Sequence, residues 1–158
     1  GNRNSYSGIW RTSGYLAYGK AEKVILDKSY IDRYFLEYEY KRVYIDFDDT
    51  LVFNRETYNT EAMRFLYQCL NKKIELILIT KHAYDIYETA RNIKLGLNIF
   101  NKIIEVPNNE PKYKYIDNTV PSIFIDNAFA ERMAVKKELG IPTFDVTNFE
   151  CLIDWRMI

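Results

Sequence analysis

Histidine occurs once and cysteine twice in this chain of 158 residues. One imidazole and two thiols far apart in sequence, Cys69 and Cys151, do not make the closed nitrogen and sulfur ligand set of a zinc site. Both cysteines fall in apolar, helix-like settings, so they read as buried free thiols suited to a reducing, cytoplasmic compartment. No charge sign predominates: 22 Lys and Arg balance 22 Asp and Glu. That excludes the strong positive field of a nucleic-acid-binding module, so no nucleic-acid partner is expected. No signal peptide is evident and no apolar run is long enough to span a membrane, so no membrane association is expected. Internal repeats and low-complexity tracts are absent.

Aromatic residues are abundant, with 14 Tyr and 9 Phe, and many of those rings must be partly buried. The length suits one domain with a full core. Residues 1–19, rich in Gly, Ser, Asn and Tyr, read as a linker, and apolar residues at 3/4 spacing predict a helix over 21–39. The chain therefore divides into an N-terminal linker and helix over 1–40 and a core domain over 41–158. In the core, strands are predicted over 42–47, 74–80, 102–106, 122–125 and 141–146. Helices are predicted over 56–70, 83–95 (capped by Gly96), 128–139 (stopped by Gly140) and 149–155, with a short helical turn over 112–116. Strand–helix alternation of this kind predicts an α/β fold with a five-stranded parallel sheet covered on both faces. The opening Gly1-Asn2, without Met, suggests a segment of a longer polypeptide.

The most informative stretch is Val43-Tyr44-Ile45-Asp46-Phe47-Asp48-Asp49-Thr50-Leu51-Val52. An apolar strand ends in an Asp-x-Asp-x-Thr cluster, and ligands of open parallel sheets bind just outside the carboxyl ends of the strands. Three Asp in four positions repel one another unless a cation neutralises them. Mg²⁺, which takes oxygen ligands, is the economical choice. Asp runs after strands also serve as turns and helix caps, and that alternative applies to this segment taken alone.

Further along, Thr80, a lysine at 112 or 114, and Asp126-Asn127 follow later strands in chain order. Together with the first motif this order resembles the haloacid dehalogenase superfamily, mostly phosphohydrolases, over about residues 42–146. The resemblance implies a Rossmann-like core and a Mg²⁺-dependent phosphatase acting through an aspartyl-phosphate. It implies that Asp46 is the nucleophile, Asp48 the acid and base, Thr80 a phosphoryl-oxygen ligand and the lysine a neutralising charge. Asp46, the Asp48 carbonyl, Asp126 and Asn127 would hold the metal. Lys112, at a helix start after Pro111, is placed to project towards the strand ends, whereas Lys114 should point elsewhere on a helix; both also fit a solvated turn.

Two departures from the family pattern stand out. Asp49 replaces a common Gly, and Asn127 replaces a common second Asp, which keeps an oxygen ligand but removes a charge. Glu131 could restore an acid near the metal, although ordinary helical geometry turns it to solvent. His82 and Lys81 follow Thr80 closely enough to touch substrate, but they also read as helix-start residues; Asn54 and Arg55 either shape the entrance or form a solvated loop. Neither 51–73 nor 83–110 leaves room for a cap domain, so the resemblance implies an open, capless site. Such a site would take a phosphorylated small molecule or a bulkier phosphoester, or be covered by a neighbouring domain. The Tyr-rich linker, the compact core and the ending Ile141-Pro142-Thr143-Phe144-Asp145-Val146 are also similar to modules of this superfamily appended to ATP-grasp, carbamoyl-phosphate-synthase-like proteins. Asn127 leaves open a degenerate module that binds a phosphorylated metabolite or a partner domain. A receiver-like domain fits less well, because the strand over 74–80 ends without Asp.

Overall fold

A computed structural model of the chain describes residues 38–154. Five parallel strands form one sheet: β1 (Arg42–Ile45), β4 (Glu75–Thr80), β5 (Lys102–Glu105), β6 (Ser122–Ile125) and β7 (Thr143–Phe144), in the spatial order β5-β4-β1-β6-β7. The chain runs outward from the central β1 through β4 to β5, then returns to the other side of β1 for β6 and β7. This is the doubly wound, Rossmann-like α/β arrangement, and its topological switch point lies between β1 and β6.

Both faces of the sheet are buried, and the strand sequences show why. Val43, Ile45, Leu76, Leu78, Ile123 and Ile125 belong to one core, while Tyr44, Ile77, Ile79 and Phe124 alternate with them and belong to the other. Strands buried on two faces read as unbroken apolar runs. Helix α1 (Thr60–Asn71) covers the first face with Ala62, Phe65, Leu66 and Cys69, an i, i+3, i+4, i+7 stripe. Its start is capped by Asn59, whose side-chain oxygen accepts from the Ala62 N–H. Helix α4 (Phe149–Leu152) packs beside it through Phe149 and Leu152. The second face is covered through Val135 of α3 (Phe129–Leu139) and by Ile116 and Tyr113 around the 3₁₀ turn Lys112–Tyr115.

The predicted strands and helices are all present in the described region, with several corrected boundaries. Helix α2 is shorter than expected, Ile86–Asn92, and Gly96 does not cap it. Lys94 does so at φ 62°, with the Leu95 N–H donating to the Ala90 carbonyl and the Lys94 N–H to that of Arg91. That bond pattern is a left-handed helix stop. Gly140 fills the same role after α3 at φ 73°. A hairpin of β2 (Val52–Phe53) and β3 (Thr57–Tyr58) takes the first residues of the helix expected over 56–70; Asn54 and Arg55 turn it at φ 53° and 61°. The helix expected over 21–39 lies outside the described residues, apart from Tyr38 and Glu39, which are in no regular element. Among the described residues no helix is long and apolar enough to cross a membrane.

Candidate active site

Asp46 follows β1 and Asp126 follows β6, so the register Ile45↔Ile125 sets them side by side at the switch point. Between them lies Lys112. Its Nζ is 2.7 Å from Asp46 Oδ1 and 2.6 Å from Asp126 Oδ2, and all three residues are buried. The 3₁₀ turn after Pro111 aims this lysine inward, whereas Lys114 is exposed. Of the two lysines, Lys112 is the one that reaches the strand-end carboxylates. The Lys112 main-chain N–H donates to Glu131 Oε1 at 3.1 Å, and Glu131 Oε2 pairs with Lys81 at 2.5 Å. Glu131 thus lies at the rim of the site rather than in free solvent.

The remaining oxygens of the two carboxylates face Asn127. One terminal atom of its amide lies 3.0 Å from Asp46 Oδ2, 3.2 Å from the Asp48 carbonyl oxygen and 3.2 Å from Asp126 Oδ1. All three neighbours are acceptors, so the amide nitrogen is the atom that points there and donates. Thr50 closes this side: its hydroxyl donates to Asp46 Oδ2 at 3.1 Å and accepts from the Asn127 main-chain N–H at 3.2 Å.

Burial of Asp46 and the charge of Asp126 raise its pKa, and Lys112 only partly offsets them, leaving it pushed up to about 7. For Lys112, burial alone would lower the pKa, but the two carboxylates outweigh it and the net shift is upward. The two directions are compatible, because the lysine has two anionic partners while each Asp has one cation and one like charge.

Asp48 projects from the turn after β1, and its side chain is 38% exposed. Its Oδ2 lies 2.7 Å from Nδ1 of His82, and Nε2 of that ring lies 2.8 Å from Thr89 Oγ1 on α2. His82 precedes α2; the residue is partly exposed, as a helix-start residue is expected to be, but its side chain is only 1% exposed. Asp49 adopts φ 57°, a left-handed conformation that Gly takes freely and Asp tolerates better than most side chains.

Thr80 ends β4, the neighbour of β1, and is fully buried; its hydroxyl finds no hydrogen-bond partner among the described residues. It lines a cavity of about 310 Å³ with His82, Glu105 and Asn108, whereas Asp46, Asp48, Lys112, Asp126 and Asn127 line another of about 200 Å³. An unpartnered buried hydroxyl is costly unless something else engages it.

Among the described residues, no three His, Cys, Asp or Glu side chains converge on one point as a metal site. The Asp46 and Asp126 carboxylates and the Asp48 carbonyl do converge, on the place taken by the Asn127 amide. These are hard oxygen donors of the kind Mg²⁺ takes, and they fit that ion once the Asn127 amide turns its oxygen inward.

The fold and site define a doubly wound α/β protein with an acidic, lysine-bridged centre at its switch point. No family model matches the chain, and no curated protein matches it either. Among solved structures it is similar to a crystal structure of a hydrolase of the haloacid dehalogenase-like family from Brucella suis 1330. The identity is 18% and the TM-score 0.36, and the match covers 65% of this chain and 37% of that one.

Proposed function

We propose that this chain is a Mg²⁺-dependent, capless phosphohydrolase of the haloacid dehalogenase type, acting as a module of a larger cytoplasmic protein. The observation that carries this reading is Lys112 Nζ between Asp46 and Asp126. A buried ammonium joining two strand-end carboxylates suits a centre where negative charge must be gathered and held. Bound Mg²⁺ would supply further charge neutralisation at a phosphoryl oxygen, held by Asp46, the Asp48 carbonyl, Asp126 and Asn127. An Asp46 carboxylate oxygen attacks phosphorus and the ester P–O bond breaks. The leaving oxygen takes a proton from the Asp48 carboxyl. Water then attacks the aspartyl-phosphate, Asp48 takes its proton, and the Asp46 carboxylate is released with inorganic phosphate. The free Thr80 hydroxyl is available to donate to a phosphoryl oxygen.

The substrate in this reading is a phosphorylated small molecule or a bulkier phosphoester, with a neighbouring domain completing the open site. The experiment is hydrolysis of p-nitrophenyl phosphate and a panel of phosphorylated metabolites, with and without Mg²⁺. Mg²⁺-dependent turnover abolished by Asp46→Asn supports the proposal, and silence across the panel defeats it.

One observation favours a second reading. The Asn127 amide nitrogen already sits among the three oxygens that a metal would take. In a degenerate module this hydrogen-bonded state would persist, and phosphorylated metabolites would bind without being turned over. Metabolite binding by calorimetry in a chain that shows no hydrolysis would select this alternative.

A further inference from the structure

We propose that His82, braced by Thr89, is a positioning residue that fixes the Asp48 carboxyl for proton transfer to the leaving group; this rests on the phosphohydrolase reading above. Asp48 is partly exposed on a turn, where a carboxyl would otherwise sample several rotamers. Efficient proton transfer needs the acid held within hydrogen-bond reach of the leaving oxygen. The contact at 2.7 Å between His82 Nδ1 and Asp48 Oδ2 holds one carboxyl oxygen and leaves the other for the leaving group.

The imidazole is itself fixed on several sides. Thr89 Oγ1 takes Nε2 at 2.8 Å, and Phe47 and Tyr84 meet the ring edge to face, at centroid separations of 5.4 Å and 6.0 Å. With 1% of its side chain exposed and both ring nitrogens engaged, by Asp48 and by Thr89, His82 acts through Asp48. Beside an Asp48 carboxylate, Nδ1 carries the proton and Nε2 accepts from the Thr89 hydroxyl, which can serve as donor or acceptor. When Asp48 carries the proton, that proton sits on the oxygen facing the leaving group, and Nδ1–H goes on donating to Oδ2, so the hold on the carboxyl is kept in both states.

The test compares two esters with Mg²⁺ present. p-Nitrophenolate leaves without a proton, whereas the alkoxide of an alkyl phosphate needs one. His82→Ala is expected to lower kcat/KM on an alkyl phosphate by roughly 10- to 100-fold, with a much smaller loss on p-nitrophenyl phosphate. Thr89→Val should show the same bias more weakly, and His82→Gln, which can still donate, should restore part of the alkyl rate. Equal losses on both esters, the signature of general damage to the fold, would overturn the proposal. His82 is the sole histidine, so ¹⁵N NMR reads its tautomer without ambiguity. The expected wild-type state is protonated at Nδ1 and bare at Nε2, and the reverse tautomer beside ionised Asp48 would also overturn the proposal. A wild type silent on both esters, yet holding the Nδ1 proton against Asp48, would defeat the phosphatase reading while upholding the contact.

Discussion

Lys112 is the residue on which the site's charge balance turns. Its removal leaves Asp46 and Asp126 buried together without their cation, and breaking a buried pair in this way costs about 3–5 kcal/mol. Lys112→Ala should therefore lower the urea midpoint strongly, and less at pH 5 than at pH 8, because Asp46, raised to about 7, is protonated at the lower pH and no longer repels its neighbour. A second expectation concerns Asp46 itself. Its folded pKa of about 7 stands above the reference value of 3.8. Between those values the folded state holds a proton that the unfolded chain has lost, so stability is greatest below the lower value and falls as pH rises through the upper one. In EDTA, the wild type should lose more stability between pH 5 and pH 8 than Asp46→Asn does; parallel curves would contradict the assignment. At Asn127, replacement by Asp removes the inward amide and adds a charge. Calorimetry should then find tighter Mg²⁺ binding, and unchanged or weaker binding would show that position 127 plays another role.

Elements are set by local chemistry, and two helix ends give opposite expectations. Lys94 is exposed and held at φ 62°, while Gly140 stands at φ 73° with open space where a side chain would be. A side chain in the left-handed region costs about 1–2 kcal/mol. Lys94→Gly should accordingly raise the melting temperature and Gly140→Ala should lower it. The same chemistry explains what the sequence shows and what it hides. The two-face strands are plain because Leu76-Ile77-Leu78-Ile79 and Ile123-Phe124-Ile125 are continuous apolar runs, and α1 because its stripe repeats at helical spacing. The β2–β3 hairpin is hidden because its strands are two residues long and its turn, Asn54-Arg55, lacks the usual Gly. Asp46, Asp126 and Thr80 are legible as strand-end polar residues, whereas the His82 bridge is not. Its partners stand 34 positions before it and 7 after it, and nothing in their spacing marks a contact.

At the scale of the whole molecule, the fold brings Asp46, Asp48, Lys112, Asp126 and Asn127 to one open cavity at the carboxyl edge of the sheet. Between β1 and β4 the chain spends its residues on a hairpin and one helix, and between β4 and β5 on α2 and a short turn. If a neighbouring domain completes the site, a longer natural chain should be more selective among phosphoesters than this one; identical substrate profiles would argue that the domain works alone. The central claim is that Asp46 carries the phosphoryl group in turnover. The most direct measurement is mass spectrometry of peptides from acid-quenched enzyme during hydrolysis of p-nitrophenyl phosphate with Mg²⁺. A phosphoryl group on the Asp46 peptide, lost in Asp46→Asn and accumulating in Asp48→Asn if the aryl ester still transfers its phosphoryl group, is the expected result. Turnover with that peptide unmodified, or with the phosphoryl group on another residue, would contradict the account.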